Sequence, residues 1–92
     1  MNRDFLFDLL STGSVSGSEA ELEKKIYDFM QNKADQVTAD ELGNVTAVLN
    51  PASPFRVLLA GHADEIGLMV SAVGSDGTLM VTKIGRGKDC DL

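Results

Sequence analysis

The spacing of apolar residues predicts a short helix at the start of the chain. Apolar side chains recur there at helical intervals, at Phe5, Leu6, Leu9 and Leu10. Asn2 precedes them and is a residue type that caps helix N-termini. The next residues, 11–17, read STGSVSG and favour turns over any regular element. We therefore expect a helix followed by a loop.

A second amphipathic helix is predicted from Glu19 to Lys33. Ser18 and Glu21 match the capping-box pattern, in which both side chains satisfy free N–H groups at the helix start. Glu21 and Lys25 are four residues apart and can pair. One face carries an apolar stripe of Leu22, Ile26, Phe29 and Met30. Such a helix packs on a sheet, so a membrane or partner-binding role is not expected.

The pattern then changes from helical to extended. Val37–Ala39 and Val45–Leu49 are rich in β-branched residues and flank the turn sequence DELGN at residues 40–44, which predicts a β-hairpin. Val57–Ala60 (VLLA) is apolar at every position, the pattern of a strand covered on both faces. We expect this segment to be the central strand of the sheet.

A second hairpin is predicted further along the chain. Leu68–Val73 and Thr78–Ile84 surround the residues Gly74, Ser75, Asp76 and Gly77, a strong turn signal. The sequence therefore predicts an α/β fold, with two helices packed on a small mixed sheet and a β-hairpin following it. Residues 86–92 are polar and are expected to fray.

Composition and charge narrow the class of protein. The chain has 92 residues, of which 43% are hydrophobic and 24% charged, ordinary values for a globular domain. A compact fold of this size removes about 64% of the unfolded chain's surface from water, enough for one small core. The formal net charge of −6 has the wrong sign for nonspecific binding to nucleic acid, so no such partner is expected.

The sequence also shows no membrane span and no signal peptide. No apolar stretch is long enough to span a membrane, and the apolar run at Phe5–Phe7 is too short for the core of a signal peptide. Cys90 is the single cysteine and cannot form an internal disulfide. We therefore expect a cytoplasmic protein with no membrane partner.

The chemistry of the chain is concentrated directly after the predicted central strand. His62, the single histidine, is followed two residues later by Asp64, and residues i and i+2 of an extended segment point to the same side. The pair could be a metal ligand with its orienting carboxylate, or a solvent-facing histidine capped by a carboxylate. Both interpretations are open from spacing alone. Glu65 points the other way and is expected to be solvated or to stabilise a turn.

Four motifs, in order, resemble one known family. They are residues 16–19 (SGSE), 40–45 (DELGNV), 58–70 (LLAGHADEIGLMV), and Asp76-Gly77 followed by Ile84-Gly85. Together they resemble the N-terminal part of the tetrahedral and glutamyl aminopeptidase family of dinuclear metallopeptidases. The likeness covers nearly the whole chain as far as Gly85.

The resemblance implies a site and a reaction. His62 would be a ligand of one of two divalent metals, zinc, cobalt or manganese, and Asp64 the catalytic-site carboxylate that orients it. The metals would activate a water that hydrolyses the N-terminal residue from a peptide substrate. The family's further ligands and its glutamate base lie downstream in its sequence. We therefore expect a truncated chain that is inactive when isolated.

The resemblance also implies domain boundaries and self-association. Residues 1–67 would belong to the α/β catalytic domain, residues 68–85 to the start of an inserted β-rich dimerisation domain, and residues 86–92 to a frayed tail. The hairpin would then expose edges and apolar side chains, namely Met69, Val73, Met80 and Val81. A homo-oligomer is the expected result.

The sequence also bears on three other functions. A noncatalytic remnant or oligomerising interaction module, without a complete metal site, is the main alternative. A phosphate-binding loop at residues 85–88 is not supported, because neither a GK[ST] motif nor a helix start follows. A glycosidase that uses Asp64 and Glu65 as paired carboxylates fails on geometry, since adjacent residues of a strand point apart.

Overall fold

A computed structural model describes residues 2–85 of the chain. Its elements in chain order are α1 (Arg3–Leu10), α2 (Ala20–Met30), β1 (Gln36–Ala39), β2 (Val45–Val48), β3 (Gly67–Val73) and β4 (Leu79–Ile84). β1 pairs with β2 and β3 with β4, both antiparallel, in two separate two-stranded sheets. The predicted mixed α/β class is confirmed, as are both helices and both hairpins. The predicted tail and phosphate-loop residues after Gly85 lie outside the described part.

Helix α1 begins as its sequence predicts. The Asn2 side chain accepts a hydrogen bond from the Phe5 backbone N–H at 3.0 Å, which satisfies one of the free donors at the helix start. Phe5 then stacks on Phe29 of α2, with ring centroids 3.6 Å apart and planes 6° apart. This stacking holds the two helices together through their aromatic side chains.

A polar cluster joins the same two helices. The Lys25 ammonium donates hydrogen bonds to the Asp8 carboxylate and to the Thr12 hydroxyl, each at 2.8 Å. It also lies 3.8 Å from Glu21, the predicted partner one turn earlier. The hydrogen bond to Asp8 is the main cause that raises the pKa of Lys25 above its ordinary value. Lys25 therefore stays charged at the point where the helices meet.

Helix α2 is shorter than predicted, and the capping box does not form. Ser18 donates its backbone N–H to Val15 at 2.8 Å and so belongs to a turn before the helix, which leaves Glu19 as the first capping position. The Glu19 carboxylate accepts from the Gly17 N–H at 2.7 Å instead. At the other end, the helix stops at Met30, before the predicted end at Lys33.

The hairpin of β1 and β2 packs on helix α2. Val37, Val45 and Val48 are half-buried, while the intervening strand residues are exposed. In the turn, the Asp40 carboxylate accepts from the backbone N–H groups of residues 42 and 44, both at 2.9 Å. The β-branched segments and the predicted turn therefore form a hairpin that packs on helix α2.

The hairpin of β3 and β4 has no helix packed over it within residues 2–85. Its turn is closed by the Gly74 N–H, which donates to the Thr78 carbonyl at 2.7 Å, and by hydrogen bonds from Thr78 to Asp76. The register shifts between Val70 and Ala72, which is typical of a β-bulge. The strands form as predicted, but most of their side chains remain exposed.

The predicted central strand at Val57–Ala60 is wrong. This segment forms no strand, and no other part of residues 2–85 pairs with it. Its side chains are among the most exposed of the chain, at 71% for Val57, 86% for Leu58 and 91% for Leu59. A strand needs a neighbour to satisfy its backbone groups, and the helices and hairpins described here provide none. In place of the predicted mixed sheet, residues 2–85 form two separate two-stranded antiparallel sheets.

The molecule is also more extended than a compact domain of its size. It exposes 7679 Å² of surface, whereas about 5,200 Å² is typical of a compact 9.8 kDa protein. The Cα radius of gyration is 17.4 Å, against about 12 Å for a compact chain of 92 residues. Leu22, at 3% exposed, is the one buried apolar residue among the described residues. The predicted single core exists, but it is very small.

Neither helix between residues 2 and 85 is long and apolar enough to cross a lipid bilayer.

Candidate functional site at His62 and Asp64

The candidate site is a cleft of about 330 Å³ between three parts of the chain. Helix α2 forms one wall, the β1–β2 turn forms another, and the segment that carries His62 closes the third side. The cleft is lined by Glu19, Leu22, Glu23, Ile26, Leu42, Gly43, Asn44, Val45, Gly61, His62, Ala63 and Asp64. Both predicted site residues therefore line the same cavity.

The imidazole of His62 contacts Asp64 through one ring nitrogen. Nδ1 lies 3.1 Å from the Asp64 carboxylate oxygen Oδ1 and 3.1 Å from the Asp64 backbone carbonyl oxygen. Both partners are acceptors, so we assign the hydrogen to Nδ1. In the neutral ring this leaves the lone pair on Nε2. The predicted geometry, with both side chains on one side of the chain, is what the structure shows.

The two side chains differ in exposure. The His62 side chain is 85% exposed, whereas that of Asp64 is 39% exposed. The carboxylate is thus partly enclosed and the imidazole reaches into solvent. This arrangement allows Asp64 to hold the ring while Nε2 stays accessible to an incoming group.

Asp40 fixes the β1–β2 turn, which forms one wall of the cleft. Its carboxylate accepts from the Asn44 side-chain amide at 2.8 Å, and this bond is the main cause that lowers the pKa of Asp40 below its ordinary value. Asp40 therefore stays ionised and holds Asn44 at the cleft. A Cβ placed on the neighbouring Gly43 would lie 3.1 Å from a Glu23 carboxylate oxygen, so the turn approaches the helix closely.

Glu65 has a larger structural role than the sequence indicated. Its carboxylate accepts from the Ser14 N–H at 3.1 Å, and its own N–H donates to the Ser14 carbonyl at 2.9 Å. Val15 and Glu65 form an isolated parallel bridge. We expected Glu65 to be solvated or to stabilise a turn. Its partner is instead Ser14, which lies 51 residues earlier in the chain. No local sequence signal relates the two segments.

A complete metal site is not present among the described residues. Between residues 2 and 85, no group of three His, Cys, Asp or Glu side chains is placed to hold a metal ion. Catalytic zinc sites use about three protein ligands and keep one position open. His62 and Asp64 fit the role of one ligand and its orienting group, but these residues by themselves do not hold a catalytic metal.

Comparison with known proteins assigns the segment that carries this pair. A sequence profile of M42 glutamyl aminopeptidases matches residues 43–89, which is just over half of the chain and includes His62 and Asp64. The chain belongs to the M42 glutamyl aminopeptidase family. The family recognised from the four ordered motifs is thereby confirmed.

Individual relatives agree with this assignment. The chain is 38% identical to a lysyl aminopeptidase of Pyrococcus furiosus, in a match that covers 84% of this chain and 22% of that protein. It is 35% identical to a protein of Acetivibrio thermocellus with a provisional aminopeptidase name, over 92% of this chain and 27% of that protein. A glutamyl aminopeptidase of Lactococcus lactis subsp. cremoris is 33% identical, over 87% of this chain and 24% of its own length.

The lengths of these proteins differ strongly. The chain spans about a quarter of the curated relatives that it matches. The match therefore assigns a family to this segment, and the M42 family is one of metallopeptidases, which implies a divalent metal.

Proposed function

We propose that this chain provides one metal ligand, His62, and its orienting carboxylate, Asp64, to the metal centre of an aminopeptidase that removes N-terminal residues from peptides. The observation that carries the proposal is the 3.1 Å contact between His62 Nδ1 and Asp64 Oδ1 inside the segment matched by the family. The aminopeptidase names of the relatives support the reaction and the peptide substrate.

The roles of the two side chains follow from their hydrogen bond. When bound, divalent metals supply Lewis-acid chemistry, which polarises a peptide carbonyl and lowers the pKa of a bound water. Asp64 accepts the Nδ1 hydrogen of His62, which fixes the ring orientation and makes the other nitrogen more basic. His62 then presents Nε2 as a ligand. Zinc, cobalt and manganese are the ions that we propose for this position.

Zinc calorimetry on the full 92-residue chain tests the proposed ligand. We expect binding that is abolished by His62→Ala and weakened about 10- to 100-fold by Asp64→Ala, since loss of an orienting partner has effects of that size. Glu41→Ala is the matched control, because it removes an exposed carboxylate from the β1–β2 turn. If His62→Ala binds zinc as well as the unchanged chain, the metal-ligand role is wrong. If zinc produces no heat with the unchanged chain, the noncatalytic module proposed below is favoured instead.

We also propose that the isolated chain has no peptidase turnover. Residues 2–85 hold no three-donor metal group, and His62 is the single histidine of the chain. We expect no hydrolysis of aminoacyl substrates with added zinc, cobalt or manganese. Robust metal-dependent turnover that disappears in His62→Ala would contradict this expectation.

A noncatalytic, oligomerising module is the second candidate function. It is favoured by the exposed apolar side chains of β3 and β4, which include Met69 (54%), Val73 (71%), Met80 (64%) and Val81 (47%). We propose that copies of the chain associate through this hairpin, since exposed apolar strands pair readily. Light scattering at micromolar concentration should give a mass above 9.8 kDa. A monomeric mass would count against this association.

A further inference from the structure

We propose that Glu65 is a positioning residue for His62, because it fixes the peptide unit that holds the imidazole. The inference rests on the proposed role of His62 as a metal ligand. Glu65 itself would touch neither the metal nor the substrate. Glu65 acts by joining the His62 segment to the loop after helix α1.

The peptide unit between Asp64 and Glu65 links the imidazole of His62 to the loop that contains Ser14. Its carbonyl oxygen, on Asp64, lies 3.1 Å from His62 Nδ1. Its N–H, on Glu65, donates to the Ser14 carbonyl at 2.9 Å. Because a peptide unit is planar, these two groups cannot rotate independently. The bond to Ser14 therefore sets the direction in which the Asp64 carbonyl faces the imidazole.

The carboxylate of Glu65 makes a second hydrogen bond to Ser14 and so completes the joint between the loop and the His62 segment. It accepts from the Ser14 N–H at 3.1 Å, so Ser14 is held through both its donor and its acceptor. Ser14 is only 4% exposed. A buried N–H that loses its acceptor is costly, because water does not replace the missing partner. Removal of the carboxylate therefore favours separation of the loop from the His62 segment.

Side-chain packing next to Glu65 reinforces this joint. Val15 lies directly against Gly67, where an added Cβ would overlap the Val15 side chain at Cγ2. Val15 and Glu65 also form the parallel bridge between the two segments. The loop thus contacts this segment at Glu65 and again at Gly67. These contacts hold the Asp64–Glu65 peptide against the loop.

Nitrogen-15 NMR of the metal-free, full-length chain tests the proposal. The ratio of the Nδ1–H to the Nε2–H form of His62 is measured by two-bond proton–nitrogen correlation at a pH about two units above the usual histidine pKa. We expect the Nδ1–H form in the unchanged chain. Glu65→Ala should lower the ratio about threefold, the effect of one weakened hydrogen bond, and should speed amide exchange at Ser14.

Two conservative variants distinguish a positioning role of Glu65 from an effect of its negative charge. Glu65→Asp keeps the charge, but its shorter side chain cannot reach the Ser14 N–H, so the ratio should fall as it does in Glu65→Ala. Glu65→Gln loses the charge but keeps an acceptor oxygen at the same length, so the ratio should stay near that of the unchanged chain. Glu41→Ala is the control for loss of an exposed carboxylate. Glu65→Asp also remains informative if Glu65→Ala does not fold.

The outcomes distinguish this proposal from the proposed function. An unchanged ratio in Glu65→Asp, together with faster exchange at Ser14, would overturn the positioning role. An Nε2–H form in the unchanged chain would also overturn it. Because no metal is present, neither result depends on whether His62 binds one. Zinc titration of the same samples tests the ligand role separately.

Discussion

The two hairpins of this protein use similar turn chemistry but differ in what covers them. In β1–β2, Asp40 accepts hydrogen bonds across the turn and Gly43 has a φ of +88°. In β3–β4, Asp76 accepts from Thr78 and Gly77 has a φ of +87°. Helix α2 packs on the first hairpin, whereas no helix of residues 2–85 covers the second.

This difference shows that turn residues define a hairpin and that burial stabilises it. Two-stranded hairpins without a packed face are marginally stable in water. The β1–β2 hairpin lies on the helix that contains Leu22, which is only 3% exposed. The β3–β4 hairpin leaves most of its apolar side chains exposed within the described part of the chain. The first hairpin is therefore packed within residues 2–85, and the second is the one through which we propose that copies of the chain associate.

The largest expected effect comes from removing the buried side chain beneath the covered hairpin. Leu22 is 3% exposed, and Leu22→Ala should lower the free energy of unfolding by about 2–5 kcal/mol. Urea unfolding followed by circular dichroism measures this loss. The matched control is Leu79→Ala in β4, where Leu79 is 57% exposed and the loss should be about 0.5 kcal/mol or less. Equal losses in the two variants would contradict the comparison.

Substitution of the turn glycines compares the hairpins at equivalent positions. Both have positive φ, so Gly43→Ala and Gly77→Ala should each lower stability by about 1–2 kcal/mol. Gly43→Ala should cost more, because the new Cβ lies 3.1 Å from a Glu23 carboxylate oxygen, while nothing lies within 4 Å of the Cβ at Gly77. Chemical denaturation measures both. A larger loss at Gly77 would mean that helix α2 does not approach the first turn closely.

A charge on the uncovered hairpin should weaken self-association. Val81 is 47% exposed on β4, and Val81→Lys should raise the dissociation constant of the proposed oligomer about tenfold. Thr46→Lys, on an exposed position of β2, is the control and should have no comparable effect. Sedimentation at a series of concentrations measures both. Equal association by the two variants would place the interface elsewhere.

The smallest expected effect is the acid sensitivity of the two turns. Hydrogen bonds from Asn44 lower the pKa of Asp40, and hydrogen bonds from Thr78 lower the pKa of Asp76, below the usual 3.8. The unfolded carboxyl groups bind protons at higher pH than the folded ones. The stabilisation is therefore present above the unfolded pKa and is lost as the pH falls through the folded pKa.

Amide exchange at acid pH measures this effect in each hairpin. Both hairpins should open more readily below about pH 4. Asp40→Asn should remove the acid dependence from β1–β2 alone, and Asp76→Asn from β3–β4 alone. If either variant changes both hairpins equally, the pH dependence does not arise in the turns.

Much of the local structure could be predicted because its causes are local. The Asn2 cap, the apolar stripe that contains Leu22 and the two turns all depend on residues within a few positions of one another. The contact of His62 with Asp64 was predicted for the same reason, since alternate residues of an extended segment share a side. The error at the N-terminal end of α2 arose where two local patterns compete, because Ser18 forms a turn instead of a cap.

The rest depended on contacts between distant segments. The apolar run Val57–Ala60 indicates a need for burial, but pairing partners make a strand, and none is present within residues 2–85. The joint between Ser14 and Glu65 spans 51 residues, and its hydrogen bonds involve backbone groups that every residue type carries. The sequence by itself therefore determined the helices, the hairpins and the paired His62 and Asp64. Only the tertiary structure decided which hairpin is covered and which loop holds the site, because burial and backbone pairing depend on where distant segments meet.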